Sequence, residues 1–329
     1  MRARGAGRGA RARARARAAG AQARAPVRAA RAGAGGGGSR ASGAARAGGA
    51  SGAGGSSGAG GAPPAPEAPE APEADARFKG LRVLVAGATG GTGRLVVEEL
   101  LKESVPVVAL ARSAEKARRD LPPEVEIVEG DVTQFSSVAR AYSGCNAVVC
   151  CTGSRPGPLD PAGPFAVDYA GTANLVAAAR NDAGGCRSFV LVSSVGADEL
   201  LFPLNLAWGI LFWKKRGEEA LQRSGLRYTV VRPGGLTDGE RGKGRGRGGG
   251  KGKGKGRVTM APAGTYGLPP AKEAPGSILR AQVAAVATAA LVEEAAAGKV
   301  IELAVSRSAG AGAGGRGGDD FAAAFASVP

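Results

Sequence analysis

At 329 residues the chain has room for one large domain or two small ones, and its lack of histidine excludes His-based metal centres, Ser-His-Asp and Cys-His nucleophile systems and histidine general bases. The net charge of +16 invites a nucleic-acid partner until it is located. Residues 1–50 hold twelve Arg and no acid, and 239–257 carry a net +7, so the remainder is close to neutral.

Residues 1–76 are almost entirely Ala, Arg, Gly, Ser and Pro, too poor in apolar side chains to offset the entropy of ordering a backbone. They read as a disordered leader and linker. Abundant Arg without acids over 2–46 has the character of an organelle transit peptide. It predicts a chloroplast protein of the stroma or membrane periphery, with the mitochondrion as the alternative that composition leaves open. The Gly/Lys/Arg run at 239–257 and the Gly/Ala tail at 309–329 read as disordered in the same way. A single domain over 77–308 remains.

Within it, short apolar runs alternate with helical patterns. Strands are expected at Arg82–Ala86, Val105–Ala111, Val125–Val128, Ala147–Cys151, Ser188–Val192, Tyr228–Val231 and Val300–Val305. Helices are expected at Arg94–Lys102, Ser136–Tyr142, Phe165–Arg180, about Leu206–Arg223 and Ala281–Ala296. Fully apolar strands alternating with helices predict an α/β fold: a Rossmann-type, doubly wound parallel sheet with helices on both faces. The apolar run Leu200–Trp213 is broken by Pro203 and Asn205 and is shorter than the roughly 20 residues of a bilayer span. No integral span is expected. Trp208, Phe212 and Trp213, followed by Lys214, Lys215 and Arg216, offer a peripheral membrane contact, with core packing as the simpler role. Cys145, Cys150, Cys151 and Cys186 lack CxxC spacing and read as reduced core residues.

The informative motif is Gly87-Ala88-Thr89-Gly90-Gly91-Thr92-Gly93, between the first strand and the first helix. The first glycine permits the tight turn, the second lets backbone approach a pyrophosphate, and the third lets helix and strand pack closely. Amides at the helix start then face the anion. The second strand ends Leu110-Ala111-Arg112-Ser113, without the acid that usually binds the NAD ribose. Arg112 can pair with a 2′-phosphate through its fork of donors, with Lys116 nearby. NADP(H) is favoured, with NAD(H) as the alternative.

Gly87–Gly93, Gly130-Asp131, Cys151-Thr152-Gly153, Val167-Asp168-Tyr169 and Val192-Ser193-Ser194 resemble the atypical short-chain dehydrogenase/reductase pattern of NmrA-like NAD(P)-binding proteins. Trp208-Gly209, Phe212-Trp213-Lys214-Lys215, Glu218-Glu219-Ala220-Leu221, Ser224-Gly225-Leu226 and Val231-Arg232-Pro233-Gly234-Gly235 are narrower. They resemble the family of the dehydrogenase-like subunit of the chloroplast inner-envelope translocon and its plastid paralogues. The resemblance covers about Lys79 to Ser306. It implies that Gly87, Thr89, Gly90, Gly91, Thr92 and Gly93 hold pyrophosphate, that Asp131 and Val132 lie beside the adenine, and that Thr152 and Gly153 line the ribose. It implies a catalytic role for Ser194, with Ser193 beside it. The Tyr-x-x-x-Lys pair of catalytic members matches Phe212 and Arg216, so the usual acid/base machinery is expected to be absent, with Tyr169 a less suitable donor on another helix. The translocon subunit's long C-terminal reductase-docking extension has no counterpart before Pro329, so that docking role is not carried over.

Three functions follow as expectations. The first is a noncatalytic or weakly catalytic NADPH-binding protein with a redox-sensing or assembly role and a protein partner. The second is an NADPH-dependent oxidoreductase acting on a small, hydrophobic substrate near Pro203–Trp213. The third, nucleic-acid binding through 242–256, is the least favoured, because that run lacks aromatics for base stacking.

Overall fold

The first strand explains the rest of the sheet. In a computed structural model, which describes residues 75–155, 160–206, 208–238, 258–268, 273, 276–305 and 321–329, β1 (Val83–Ala86) is buried at every position. A strand with no polar side must be covered on both faces. Its neighbours are β2 (Val107–Ala111) and β4 (Ala147–Cys150), both parallel, with Val83 opposite Val107 on one side and Ala147 on the other. With β3 (Glu126–Glu129), β5 (Ser188–Val192), β6 (Tyr228–Pro233), β8 (Val258–Pro262) and β10 (Lys299–Val305), they form an eight-stranded sheet. The order is β3-β2-β1-β4-β5-β6-β10-β8, parallel except where β8 runs antiparallel to β10. A separate parallel ladder joins β7 (Gly235–Thr237) to β9 (Ser277–Leu279).

Helices cover both faces. On one, Val96, Leu100 of α1 (Gly91–Lys102) and Val283, Val286 of α6 (Arg280–Ala289) pack with Val83 and Val85. On the other, Val138 and Tyr142 of α3 (Phe135–Tyr142) and Leu175 of α4 (Thr172–Asn181) pack with Leu84, Val108 and Phe189. A short α2 (Ala114–Asp120) links β2 to β3. Strand order reverses between β1 and β4, so the loops that follow these strands diverge and leave a crevice at their C-terminal ends. No helix among the described residues is long and apolar enough to cross a membrane.

Three expected helices are shorter or differently wound, among them the one foreseen over Ala281–Ala296, which ends at Ala289 as α6. The one foreseen from Phe165 is a π-helix over Pro164–Gly171 before α4 begins. The one foreseen from Leu206 starts at Ile210 as α5 (Ile210–Gln222), after a 3₁₀ turn at Pro203–Leu206. Trp208 and Gly209 both hold left-handed backbone (φ 56° and 68°), which ends one turn and opens the next. Residues 1–74 of the expected leader and the whole basic insert lie outside the described residues. The tail needs correction. Residues 321–329 are ordered, with α7 (Phe321–Ala326) placing Phe325 and Val328 in the core, and Lys299 donating to the carbonyls of Phe325 and Val328. Glycine and alanine dominate the tail's composition and conceal three large apolar side chains at its end.

At the far side of the sheet, Arg232 on β6 is 1% exposed. Its Nε donates to Glu218 Oε1 at 3.0 Å and its Nη2 to Oε2 at 2.6 Å, while its Nη1 also reaches Asp198 and lies 3.5 Å from Glu302. Glu302 accepts the amides of Gly264 and Tyr266, both at 2.8 Å, and Lys215 pairs with Asp198 at 2.6 Å.

Two outcomes follow from these contacts. Phe325→Ala should cost about 3 kcal/mol of unfolding free energy in a denaturant titration. Unchanged stability would mean that the C-terminal helix is not docked. Burial pushes the Asp198 carboxyl up, but hydrogen bonds from Arg232 and Lys215 outweigh it and hold the group at about 2. A depressed carboxylate contributes stability above its unfolded value near 3.8, and this is lost as pH falls through about 2. Asp198→Asn should therefore flatten the acid limb of the stability profile across that window. An unaltered limb would remove Asp198 from the network.

Candidate dinucleotide site

The glycine loop is held by backbone lying on backbone. Gly87 ends β1 with φ 80°, and a methyl group on it would meet the Cys151 carbonyl oxygen at 2.7 Å. One on Gly93 would come 2.1 Å from the Gly87 oxygen. Gly90 N donates to Gly87 O at 2.9 Å and closes the turn. α1 begins at Gly91 with neither a side-chain cap nor an acid in its first turn, so its leading amides keep their capacity to bind an anion. Thr89, Gly90 and Gly91 are half-buried around this rim, and Thr92 is buried behind it. The absent side chains and uncapped amides fit a pyrophosphate.

Just beyond β2, Arg112 is exposed and forms no hydrogen bond or ion pair among the described residues. Ser113 caps α2 by accepting from Lys116 N. One acid does approach, from the neighbouring strand: Glu129 Oε2 accepts the Ala114 amide at 3.1 Å. Asp131 Oδ1 is held by Thr133 N and Oγ1, each at 2.8 Å, and the Val132 carbonyl accepts from Asn174. Both residues thus sit in a fixed turn just beyond β3.

On the opposite side, beyond β4 and β5, a small polar pocket is lined by Thr152, Asp168, Thr172, Ser193 and Lys214. The Lys214 ammonium lies 2.8 Å from Asp168 Oδ1, and Asp168 is 3% exposed. Asp168 Oδ2 accepts from the Ser154 hydroxyl at 2.5 Å and from its amide at 3.2 Å. Gly153 borders the pair; a methyl group there would stand 3.6 Å from the ammonium. The π-helix carries Asp168 to this point, and Gly217 lets α5 close upon it, since a methyl there would lie 2.6 Å from the Asp168 carbonyl.

Two sequence expectations change. The expected Ser194 turns its hydroxyl to the Val195 carbonyl at 3.1 Å, whereas buried Ser193 lines the pocket with a hydroxyl that has no hydrogen-bond partner among the described residues. The Tyr-x-x-x-Lys register also shifts. Arg216 pairs with Glu219 at 2.9 Å at the surface and lies over the exposed Phe212 ring, while Lys214 faces the pocket. A lysine therefore lines the pocket, and the residue four positions before it is Ile210. Helical phase contained the signal: buried Leu211, Glu218 and Leu221 share a face with Lys214, and Phe212 and Arg216 do not. Tyr169 stacks beside Phe165 and Trp213 in an aromatic cluster, with ring centroids 5.7 and 5.9 Å away. The four cysteines are free, and burial pushes every thiol up, Cys145 to about 11, so none is an activated nucleophile.

A doubly wound parallel sheet with a glycine loop at its switch point defines the class of dinucleotide-binding proteins. The chain belongs to the NAD(P)H-binding family, whose description matches residues 87–294. It is 40% identical over 175 residues to protein TIC 62 of Arabidopsis thaliana chloroplasts, covering 47% of this chain and 27% of that one. It thus spans about a quarter of that relative's length. An uncharacterised chloroplast protein of Arabidopsis thaliana is 38% identical over 235 residues, covering 68% of this chain and 76% of its own length. Among solved structures, ChuY, an anaerobilin reductase of Escherichia coli O157:H7, superposes with a TM-score of 0.53 at 26% identity, over 69% of this chain and 98% of that one. These relatives place the chain among chloroplast proteins, as its Arg-rich leader predicts.

Gly93→Ala would drive its methyl into the Gly87 carbonyl and open the loop. In a fluorescence titration, NADPH affinity should fall at least about tenfold, equivalent to roughly one charge-assisted hydrogen bond. Unchanged affinity in the variant would show that the loop is not the cradle.

Proposed function

We propose that this is an NADP(H)-binding chloroplast protein in which dinucleotide occupancy is the signal, read by a protein partner in a redox-sensing or assembly role, with weak or no turnover. The observation that carries this reading is Ile210, which occupies the position one helical turn before Lys214 and has no proton to give. Gly87, Thr89, Gly90, Gly91, Thr92 and Gly93 would hold the pyrophosphate, Asp131 and Val132 the adenine, and Thr152 and Gly153 the ribose. Arg112 would select the 2′-phosphate, since exposed and uncommitted it can turn its donor fork to that group.

A specific observation favours a second reading, an NADPH-dependent reductase of a small, hydrophobic substrate. The pocket collects a lysine, a buried serine hydroxyl and a buried carboxylate. A bound reduced nicotinamide would supply hydride. Asp168 would orient the Lys214 ammonium, and Lys214 with Ser193 would donate hydrogen bonds to an oxygen gaining negative charge. The exposed rings of Phe165 and Phe212 would border an apolar substrate. ChuY, a reductase, offers a precedent within the same fold. The nucleic-acid reading rests on 242–256, which lie outside the described residues.

Calorimetric titration with NADPH, NADP and NADH tests the first reading. NADPH should bind at least about tenfold more tightly than NADH, and Arg112→Ala should remove that preference. Equal binding of both cofactors by the wild type would overturn NADP selectivity. Rapid NADPH consumption with a small carbonyl or alkene substrate, lost in Lys214→Met, would favour the reductase instead.

A further inference from the structure

A second arginine overlies the glycine loop, and the glycine pattern gave no sign of it. A methyl group placed on Gly91, the first residue of α1, would come 2.9 Å from Arg280 Cδ and 3.0 Å from its Nε. The Arg280 stem therefore crosses the mouth of the helix where the uncapped amides lie. Arg280 opens α6, and α6 packs beside α1 over a shared core, so this placement is built into the fold.

Its guanidinium is engaged elsewhere. Nη1 is 2.5 Å from Asp238 Oδ1. The β7–β9 ladder sets this pair: Thr237 lies opposite Leu279 in parallel register, so the next residue of each strand is Asp238 on one side and Arg280 on the other. The bond is weakly anchored. Asp238 is 61% exposed and Arg280 26%, so solvent and salt screen the attraction and little is lost when the partners separate. A phosphate at the helix start would offer Arg280 a stronger, charge-assisted and bidentate partner beside amides that favour the same anion.

We propose that Arg280 is a pyrophosphate-binding residue of the dinucleotide site, and that Asp238 is its stand-in partner, displaced when the dinucleotide binds. This rests on the dinucleotide reading above and adds a residue about 190 positions beyond the glycine loop. It divides the phosphates between two arginines. Arg112 meets the group that distinguishes NADP from NAD, and Arg280 meets the group that both share. Asp238 restrains affinity, because each binding event must first break its bond to Arg280.

The test is calorimetry on the full chain with NADPH and NADH as separate probes. Arg280→Ala should weaken both by about tenfold, the loss expected of a charge-assisted contact. Arg112→Ala should weaken NADPH alone. Asp238→Asn should tighten both by roughly two- to fivefold, the range of an exposed ion pair, and should not tighten them when Arg280 is already alanine. Arg280→Lys, which keeps the charge without the fork, should fall between wild type and alanine and carries the test if the alanine variant does not fold. Wild-type affinity in Arg280→Ala overturns the proposal, as does a loss confined to NADPH, or tightening by Asp238→Asn that persists without Arg280. A folded wild-type chain that binds neither probe overturns the dinucleotide reading itself.

Discussion

A guanidinium enclosed between two fully buried glutamates ties one helix to two neighbouring strands of the sheet. Arg232 lies on β6, Glu218 on α5 and Glu302 on β10, and Glu302 in turn holds the loop beyond β8 through two amides. Removing charges from water is costly, and the arrangement persists only because nearly every donor and acceptor is matched. Asp198, a few residues beyond the serine strand, joins the same cluster. The cluster therefore fixes α5 relative to β5 and β6, and with it the direction in which Lys214 points.

That orientation accounts for the polar pocket. Asp168 arrives on a wide π turn, Lys214 on α5 and Ser193 from the end of β5, and no two of them are close in sequence. Gly217 is the concession that lets α5 approach Asp168 closely. The aromatic cluster of Phe165, Tyr169, Phe212 and Trp213 then forms an apolar shelf beside a charged pocket.

The parallel sheet could be read from the sequence because its strands are so uniformly apolar that no half-exposed arrangement suits them. β1, β2, β4 and β5 are buried throughout, and their limits were placed to within two residues. α2, β7, β8 and β9 were missed: β8 is only half-buried and follows the basic run, α2 has seven residues, and β7 and β9 have three each. The glycine loop was legible because backbone contact with Gly87 and Gly93 admits no other residue. That Lys214 and Ser193, and not Arg216 and Ser194, line the polar pocket could not be read from the sequence. Adjacent candidates, Lys214-Lys215-Arg216 and Ser193-Ser194, differ chemistry by orientation alone, and orientation is set by tertiary packing. Arg280 left no trace, since its place over Gly91 depends on the pairing of distant strands.

The packing of α1 against α6 also bears on the order in which the chain folds. The glycine loop lies near the start of the domain, yet the helix behind it is completed only by residues 280–289. Contacts so far apart in sequence make for slow, late-committing folding, with loop closure spent before the contacts repay it. An early βαβ unit would carry a glycine loop with one flank of its helix bare. A chain cut before residue 280 would keep the glycine loop and lose the helix that packs against α1.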